Sequence, residues 1–452
     1  MMAFPISLAD PIVHNDPLPS SADVVVIGGG IIGVMSAWFL ARSGLSVVLL
    51  EKGRIAAEQS SRNWGWIRQQ GRDLRELPIM VEALQIWKSL DRETGQALGF
   101  RNTGVTYLAH NQTKLESYES WLTIAQAYGL DTQMLTSKQV AEMLPDAANN
   151  WAGAIHTPSD CRAEPDRAVP AIARTMAGAG VRILENCAVR NLDISAGKVT
   201  GVITEKGRVS APEVVLAGGA WSLLFARAHG VDFPQLSVRA SVAATQPLDA
   251  ISSGAMADNR VAFRRREDGG YTLAPGEFHE LFVGPDAFRN LRPFLPQLKQ
   301  DPFGTRLYPA APKNYPDAWG TVRKWSGDGV SPFEKMRVLN PKPNLRRLKR
   351  LVSDFEKIFP NLGPVSLKHT WAGMIDTMPD LVPIIDRAEV LPGLTIATGM
   401  SGHGFGIGPA IGRIVADLVN RQPVGHDISP FRLSRFSDGS PIELDPELKR
   451  GL

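Results

Sequence analysis

The run VVVIGGGIIG, Val24 to Gly33, constrains this chain more than any other stretch. Before it, Ala22–Ile27 is a short β-branched segment of the kind that forms a buried parallel strand. After the glycines, Ile31–Ser43 has the composition of a helix that Gly44 ends, and Ser46–Leu50 reads as a second buried strand. The result is a βαβ unit. Gly28, Gly30 and Gly33 make a G-x-G-x-x-G at its first turn. The first glycine permits the turn, the second lets the backbone approach a pyrophosphate, and the third lets helix and strand pack closely. The free N–H groups at the helix start, around Ile31 and Ile32, then face the phosphates. Glu51 closes the second strand, where a carboxylate accepts hydrogen bonds from ribose hydroxyls, and Lys52 stands beside it. Glycines alone are a weak signal, and a glycine-rich turn with an incidental acid is the alternative. Strand, helix, second strand and terminal acid together point to a dinucleotide.

That fingerprint does not separate FAD from NAD, but three other features favour FAD. EQSSRNWGW follows the second strand closely, so Ser60, Ser61 and Arg62 would run along the pyrophosphate toward a flavin. VVLAGGAW is another apolar strand ending in glycines and puts Ala217, Gly218 and Trp221 at the same edge, with Val189 on a strand before it. GLTIATG is a further strand, and MSGHGFGIGP returns the chain to a glycine-rich helix start. Gly399, Gly402, His403, Gly404, Phe405 and Gly406 there suit the edge of an isoalloxazine. No second complete G-x-G-x-x-G is present for a nicotinamide.

With 452 residues, 44% hydrophobic and 21% charged, the chain reads as a globular protein with two or three lobes. A net charge of +3 does not suggest nucleic acid. The two cysteines, Cys161 and Cys187, exclude a disulfide scaffold and fit a reducing compartment. The first twenty residues read as a tail over the surface, and no apolar run is long enough to span a membrane. Helices are expected over Arg75–Glu93, Leu115–Tyr128 and Thr136–Leu144, the last with a Thr cap. Short strands are expected over Val181–Leu216, turning at Ser195-Ala196-Gly197 and at Lys206-Gly207. Between Asp286 and Arg350 the composition shifts to prolines, aromatics and 14 Lys/Arg against 5 Asp/Glu, as in a separate module. No group of His, Cys and carboxylates has metal-ligand spacing.

The segments ADVVVIGGGIIG, EQSSR, TEKG, VVLAGGAWS and TGMSGHGFGIGPAIGRIVADL, with VSPFE at Val330–Glu334, resemble the D-amino-acid-oxidase-type flavoprotein superfamily. Within it the pattern is most similar to the bacterial L-amino acid deaminases. The resemblance covers most of residues 22–435. It implies an α/β and α+β architecture. A Rossmann-type, glutathione-reductase-like FAD domain is expected from residues 20–100, 157–232 and 366–435. A β-sheet substrate domain is expected from 101–156, 233–285 and 351–365, with a basic insertion at 286–350. The chain departs from the deaminases in lacking their transmembrane anchor. SGHGF is closer to the sarcosine-oxidase branch, and Ile375 stands where D-amino-acid dehydrogenases carry an arginine after WxG. The substrate's chirality is therefore open, with L preferred by resemblance.

VAFRRREDGG holds three consecutive arginines. In a strand, Arg264 and Arg266 face one side and Arg265 the other. The deaminases' carboxylate-binding arginine falls in a similar segment, which makes Arg264 the inward residue expected to grip a substrate carboxylate through its two-pronged guanidinium. Solvated arginines on an edge strand are the alternative, with Arg266 paired to Glu267 or Asp268. Arg68 is a second anion contact to consider. Trp64, Trp66, Trp371 and Met400 would wall the substrate pocket or pack as core. Asp376 would attract an ammonium or occupy a surface turn. His403 would bond near the ring or merely pack. No residue is assigned as a catalytic base, because the flavin itself supplies the chemistry.

The expectation is an FAD-dependent enzyme that oxidatively deaminates an α-amino acid to the imino acid, reoxidised by O2 or a quinone. The alternatives are a D-amino acid or N-methyl amino acid oxidase or dehydrogenase, a flavin-binding protein without turnover and, more distantly, an NAD-linked dehydrogenase. The basic 286–350 segment reads as a lid, somewhat ahead of a contact with anionic lipid. A cytoplasmic protein, peripheral at the inner membrane in the second reading, is the matching expectation.

Overall fold

A computed structural model describes residues 4–276, 278–300 and 304–444. The Val24–Ile27 strand lies between two parallel neighbours, Val47–Leu50 and Glu213–Leu216. Arg182–Leu184 and Leu394–Thr398 extend this parallel sheet on either side, and Ile384–Arg387 closes one edge antiparallel. Nearly every residue of the central strands is apolar and buried, as expected of a sheet covered on both faces. Two helices, Ile31–Arg42 and Gly404–Asn420, pack together on one face. They approach so closely that a Cβ at Gly412 would sit 2.5 Å from the Met35 Cβ.

A second, larger sheet is mostly antiparallel. At its centre the long strand Leu236–Thr245 pairs with Leu367–Thr377 along its whole length. Tyr271–Pro275, Val261–Arg265, Ala255–Ala257, Val105–Ala109, Gly153–Thr157 and Gln133–Thr136 continue it outward. One face of this sheet carries Phe263 and Tyr271 against the helix Leu345–Ile358, which buries Leu348, Leu351, Phe355 and Ile358. The opposite face carries Tyr107 and Trp371, with Trp66 of the neighbouring Trp66–Ile67 strand packed against Tyr107.

Local expectations hold closely. The expected helices are Leu77–Glu93, Gln112–Ala127 and Ser137–Met143. Thr136 caps the last, with Gln139 completing a reciprocal capping box. Ala196 and Gly197 both adopt positive φ, the geometry of a two-residue hairpin turn. The tail lies over the surface: Ile6 is buried and Phe4 packs edge-on against Trp371 at 4.6 Å.

The basic stretch is less separate than its composition suggests. Its strand Thr305–Tyr308 joins the edge of the large sheet beside His279–Phe282, and the expected boundary at 350 falls inside the Leu345–Ile358 helix. Residues 301–303 of the stretch lie outside the described residues. Its exposed face carries Phe288, Leu291, Leu295, Leu298, Leu307 and Trp319.

Candidate cofactor and substrate site

A cleft of about 1230 Å³, its mouth included, opens at the carboxyl ends of the parallel strands. Open α/β sheets bind ligands at this crevice, where strand order reverses. Gly28, Gly30, Ile31, Ile32, Glu51, Lys52, Ser60, Val189, Ala217, Gly218, Trp221, Met400, Gly402, Gly404 and Phe405 line it. Gly28 has φ +111°, and a Cβ there would meet the Ala217 carbonyl oxygen at 2.4 Å. The Ser60 hydroxyl accepts the Ile31 N–H at 2.9 Å, tying the following loop to the helix start. The remaining first-turn N–H groups have no partner within the helix and present a positive end to an anion.

Glu51 is held at both carboxylate oxygens, by the N–H of Gly29 and of Gly53, each at 2.7 Å. Burial pushes its carboxyl up to about 7 even so, against the pull of Lys52 and these two bonds. Lys52 reaches the carbonyls of Met336 and Arg337 at 3.1 and 3.0 Å and lies 4.5 Å over the Trp221 ring. Glu58 completes this knot: it pairs with Lys52 and accepts the Trp221 indole N–H and the Leu339 N–H. Phe333 joins the wall. The inner side of the basic stretch thus forms part of the cofactor cleft. Sequence reasoning missed Glu58 and Phe333, although Glu58 opens the quoted EQSSR segment.

At the other end of the cleft stand Met374, Asp376, Thr398, Met400 and the start of the Gly404–Asn420 helix. His403 occupies the cap position, and its side chain does not bond the helix backbone. Its Nδ1 instead meets Glu76 Oε2 at 2.9 Å, so it supports the loop from behind and is not part of the cleft wall. Burial and the Arg72 charge push its imidazole below the ordinary value. Asp376 is a buried strand residue and not the surface turn considered above.

Several expected site residues have other employment. Arg264 does face inward, 1% exposed, but the anion it holds belongs to the chain. Its Nη1 and Nη2 meet the two oxygens of Glu164 at 2.8 and 3.0 Å, and Nε donates to the Trp64 carbonyl at 2.7 Å. A guanidinium engaged this way at Nε, Nη1 and Nη2 keeps no free two-pronged face for a substrate carboxylate, against the expected grip. Arg266 pairs with Asp268, as expected. Arg62 is likewise buried, its donors taken by the carbonyls of Ala57, Ala372 and Ile6 and by Asn340, so it does not reach the cofactor. Ser61 is buried outside the cleft wall. Gly33, Gly399 and Gly406 serve packing: a Cβ would strike the Gly28 carbonyl oxygen at 1.9 Å, Met378 at 2.4 Å, and Arg72 at 3.3 Å. Trp371 is core, its indole N–H on the Arg62 carbonyl.

Beside the cofactor loop lies a basic cluster. Trp66 packs on Tyr107, and the Arg68 guanidinium lies over that ring at 5.6 Å with one N–H on the Gln70 carbonyl. Arg72 is buried with Nε on the Arg68 carbonyl, and its Nη1 has no hydrogen-bond partner, the nearest carboxylate being Glu76 at 3.7 Å. Burial and the Arg68 charge lower its pKa to about 10. The Asp160 carboxylate accepts the backbone N–H groups of Gln69 and Gln70, and burial pushes it up to about 6. Both arginine charges bear on His403 at the loop. No group of His, Cys and carboxylates able to hold a metal occurs among the described residues.

Comparison with known proteins fits this geometry. The chain is 29% identical to human mitochondrial sarcosine dehydrogenase over 249 residues, which is 52% of this chain and 27% of that protein. It therefore spans about a quarter of the length of the sarcosine dehydrogenase it matches. It is 25% identical to the sarcosine oxidase subunit beta of an Arthrobacter species over 95% of this chain and 94% of that one. The structure superposes on an L-amino acid deaminase from Proteus myxofaciens, in complex with anthranilate, with a TM-score of 0.90 and 29% identity. That match covers 94% of this chain and 96% of the other. A model of the DAO family, FAD dependent oxidoreductase, matches residues 23–418. The glycine cradle, the acid at the end of the second strand and the cleft at the strand ends all fit FAD. The chain belongs to the DAO family of FAD-dependent oxidoreductases.

Proposed function

We propose that this enzyme oxidatively deaminates an α-amino acid, with L stereochemistry preferred, and that Arg68 grips the substrate carboxylate. The observation that carries the second part is the half-buried Arg68 beside buried Arg72, whose Nη1 has no hydrogen-bond partner, next to the cofactor loop. A carboxylate placed there relieves the repulsion between two guanidiniums, and a guanidinium meets it with parallel charge-assisted bonds. The preference for L follows the 0.90 superposition on an L-amino acid deaminase. Bound flavin supplies the two-electron oxidation. The chain's own contribution is to hold the cofactor through Gly28, Glu51, Ser60 and the Gly404 helix start, and to orient the α-carbon between Arg68 and Met400.

The test is anaerobic bleaching of the holoenzyme by separate pools of L-, D- and N-methyl amino acids. Bleaching by the L pool, with a KM raised at least about tenfold in Arg68→Met, supports the reading. That follows from a lost buried charge pair, which costs about 2–5 kcal/mol. Bleaching by the D or N-methyl pool alone moves the enzyme to the alternative, a D-amino acid or N-methyl amino acid oxidase or dehydrogenase.

For reoxidation we propose contact with a membrane-borne acceptor through the outer face of the 286–350 stretch, with O2 as the alternative. Exposed Phe288, Leu291, Leu295, Leu298 and Trp319 beside Arg289, Arg292 and Lys299 suit an anionic interface. No helix among the described residues is long and apolar enough to cross a membrane. Flotation with anionic vesicles, abolished in Leu291→Glu/Leu295→Glu, tests this contact.

A further inference from the structure

Asp376 stands out as a buried carboxylate in the wall of the cofactor cleft. Its Oδ2 accepts the backbone N–H of Gly399 at 2.7 Å and of Met400 at 3.3 Å, and the Gln235 side-chain amide at 3.4 Å. Its backbone carbonyl accepts the Ser401 N–H at 2.9 Å. The loop it grips is unusual: Gly399, Ser401 and Gly402 all have positive φ, at +76°, +48° and +89°. A serine adopts that region only when its surroundings over-determine it. Asp376 and the Ser401 hydroxyl, which accepts the Met378 N–H at 3.2 Å, provide the surroundings.

Each of these hydrogen-bond partners is electrically neutral. No salt bridge to Asp376 occurs among the described residues, in contrast to Glu164, Glu58 and Asp380, each of which has a cationic partner. Burial pushes its carboxyl above the ordinary value, while the Gly399 and Met400 N–H groups pull back toward the ionised form; once ionised, that carboxylate has no counter-ion beside it. In a site shielded from water, such a charge acts over several ångströms on whatever the cleft holds. It opposes added electron density, whereas the start of the Gly404–Asn420 helix favours it.

We propose that Asp376 is a positioning residue with two effects: it fixes the Gly399–Gly402 loop against the flavin, and its unpaired charge holds the flavin's reduction potential down. The two effects separate by substitution. Asp376→Asn keeps the shape and an acceptor oxygen for the loop but removes the charge. Asp376→Glu keeps the charge and displaces the loop.

The experiment is equilibration of the holoenzyme, at saturating FAD, with a reference redox dye. In Asp376→Asn the ratio of reduced to oxidised flavin rises about tenfold at a fixed dye potential, a shift of about 30 mV for a two-electron couple. In Asp376→Glu the potential stays near the wild-type value while FAD dissociates faster. An unchanged dye equilibrium in Asp376→Asn overturns the charge effect. Unchanged FAD release in Asp376→Glu overturns the loop effect. Where Asp376→Asn fails to fold, Asp376→Ser removes the same charge with a smaller side chain and carries the same readout.

Discussion

Replacing Glu164 with methionine removes the carboxylate from a site where two buried guanidiniums converge. Arg264 loses both of its charge-assisted bonds, and Arg162, at 2.9 Å from the same carboxylate, loses its own. Uncompensated buried charge of this kind costs about 3–5 kcal/mol. An independent figure comes from the carboxyl itself. Burial alone would raise its pKa, but Arg264 overrules burial and holds it at about 2 instead of 4.5. At about 1.4 kcal/mol per unit, that corresponds to about 3 kcal/mol. Arg264→Met is milder, about 2 kcal/mol, because Glu164 keeps Arg162 and the Glu267 N–H. The double variant, with both charges gone, recovers most of the loss. Urea unfolding with excess FAD, followed by tryptophan fluorescence, orders the three variants, and KM for the amino acid is measured in parallel. Arg264→Met that leaves stability intact but raises KM refutes the assignment of Arg264 to Glu164 and restores it to the substrate. The pH dependence has a definite sign. Because the folded pKa is depressed, this stabilisation is present above about pH 4.5 and is lost as pH falls toward 2, a sensitivity that Glu164→Gln lacks.

The Glu51 carboxyl is raised to about 7, and the ionised form is the better acceptor for ribose hydroxyls, so FAD binds more tightly as pH rises from 6 to 8, by up to about tenfold. Glu51→Gln flattens that profile in equilibrium dialysis. Gly33→Ala drives a methyl into the Gly28 carbonyl oxygen, and the purified variant emerges without flavin absorbance. Arg68→Lys keeps the charge but loses the planar fork, so its KM falls between wild type and Arg68→Met in steady-state assays.

How much was legible depended on sequence distance. The cofactor cleft could be read because its signals are contiguous: a strand, three glycines, a helix and an acid within thirty residues. The inward direction of Arg264 was also legible, since strand alternation fixes it. Its partner was not, because Glu164 is 100 residues away and enters from the start of the Pro165–Gly178 helix. Arg62 misled in the same way. It adjoins the serines of the cofactor loop, yet its donors go to Ala372 and Asn340, about 300 residues on. For Asp376 the sequence allows a surface turn before Pro379 as one of two readings, but pairing with Ser237 keeps it in a strand. Side-chain bonds between distant segments leave no periodicity to detect.

The knot of Lys52, Glu58 and Trp221 has a kinetic consequence. Its ammonium and carboxylate hold the backbone at Met336, Arg337 and Leu339, and so keep Phe333 in place as one wall of the cleft. Part of the cofactor's housing is therefore supplied by a segment far along the chain. During synthesis the glycine cradle is complete long before that wall arrives, so early FAD sits in a half-open berth. Loosening the latch at residues 333–339, as in Lys52→Met, is therefore expected to speed FAD release.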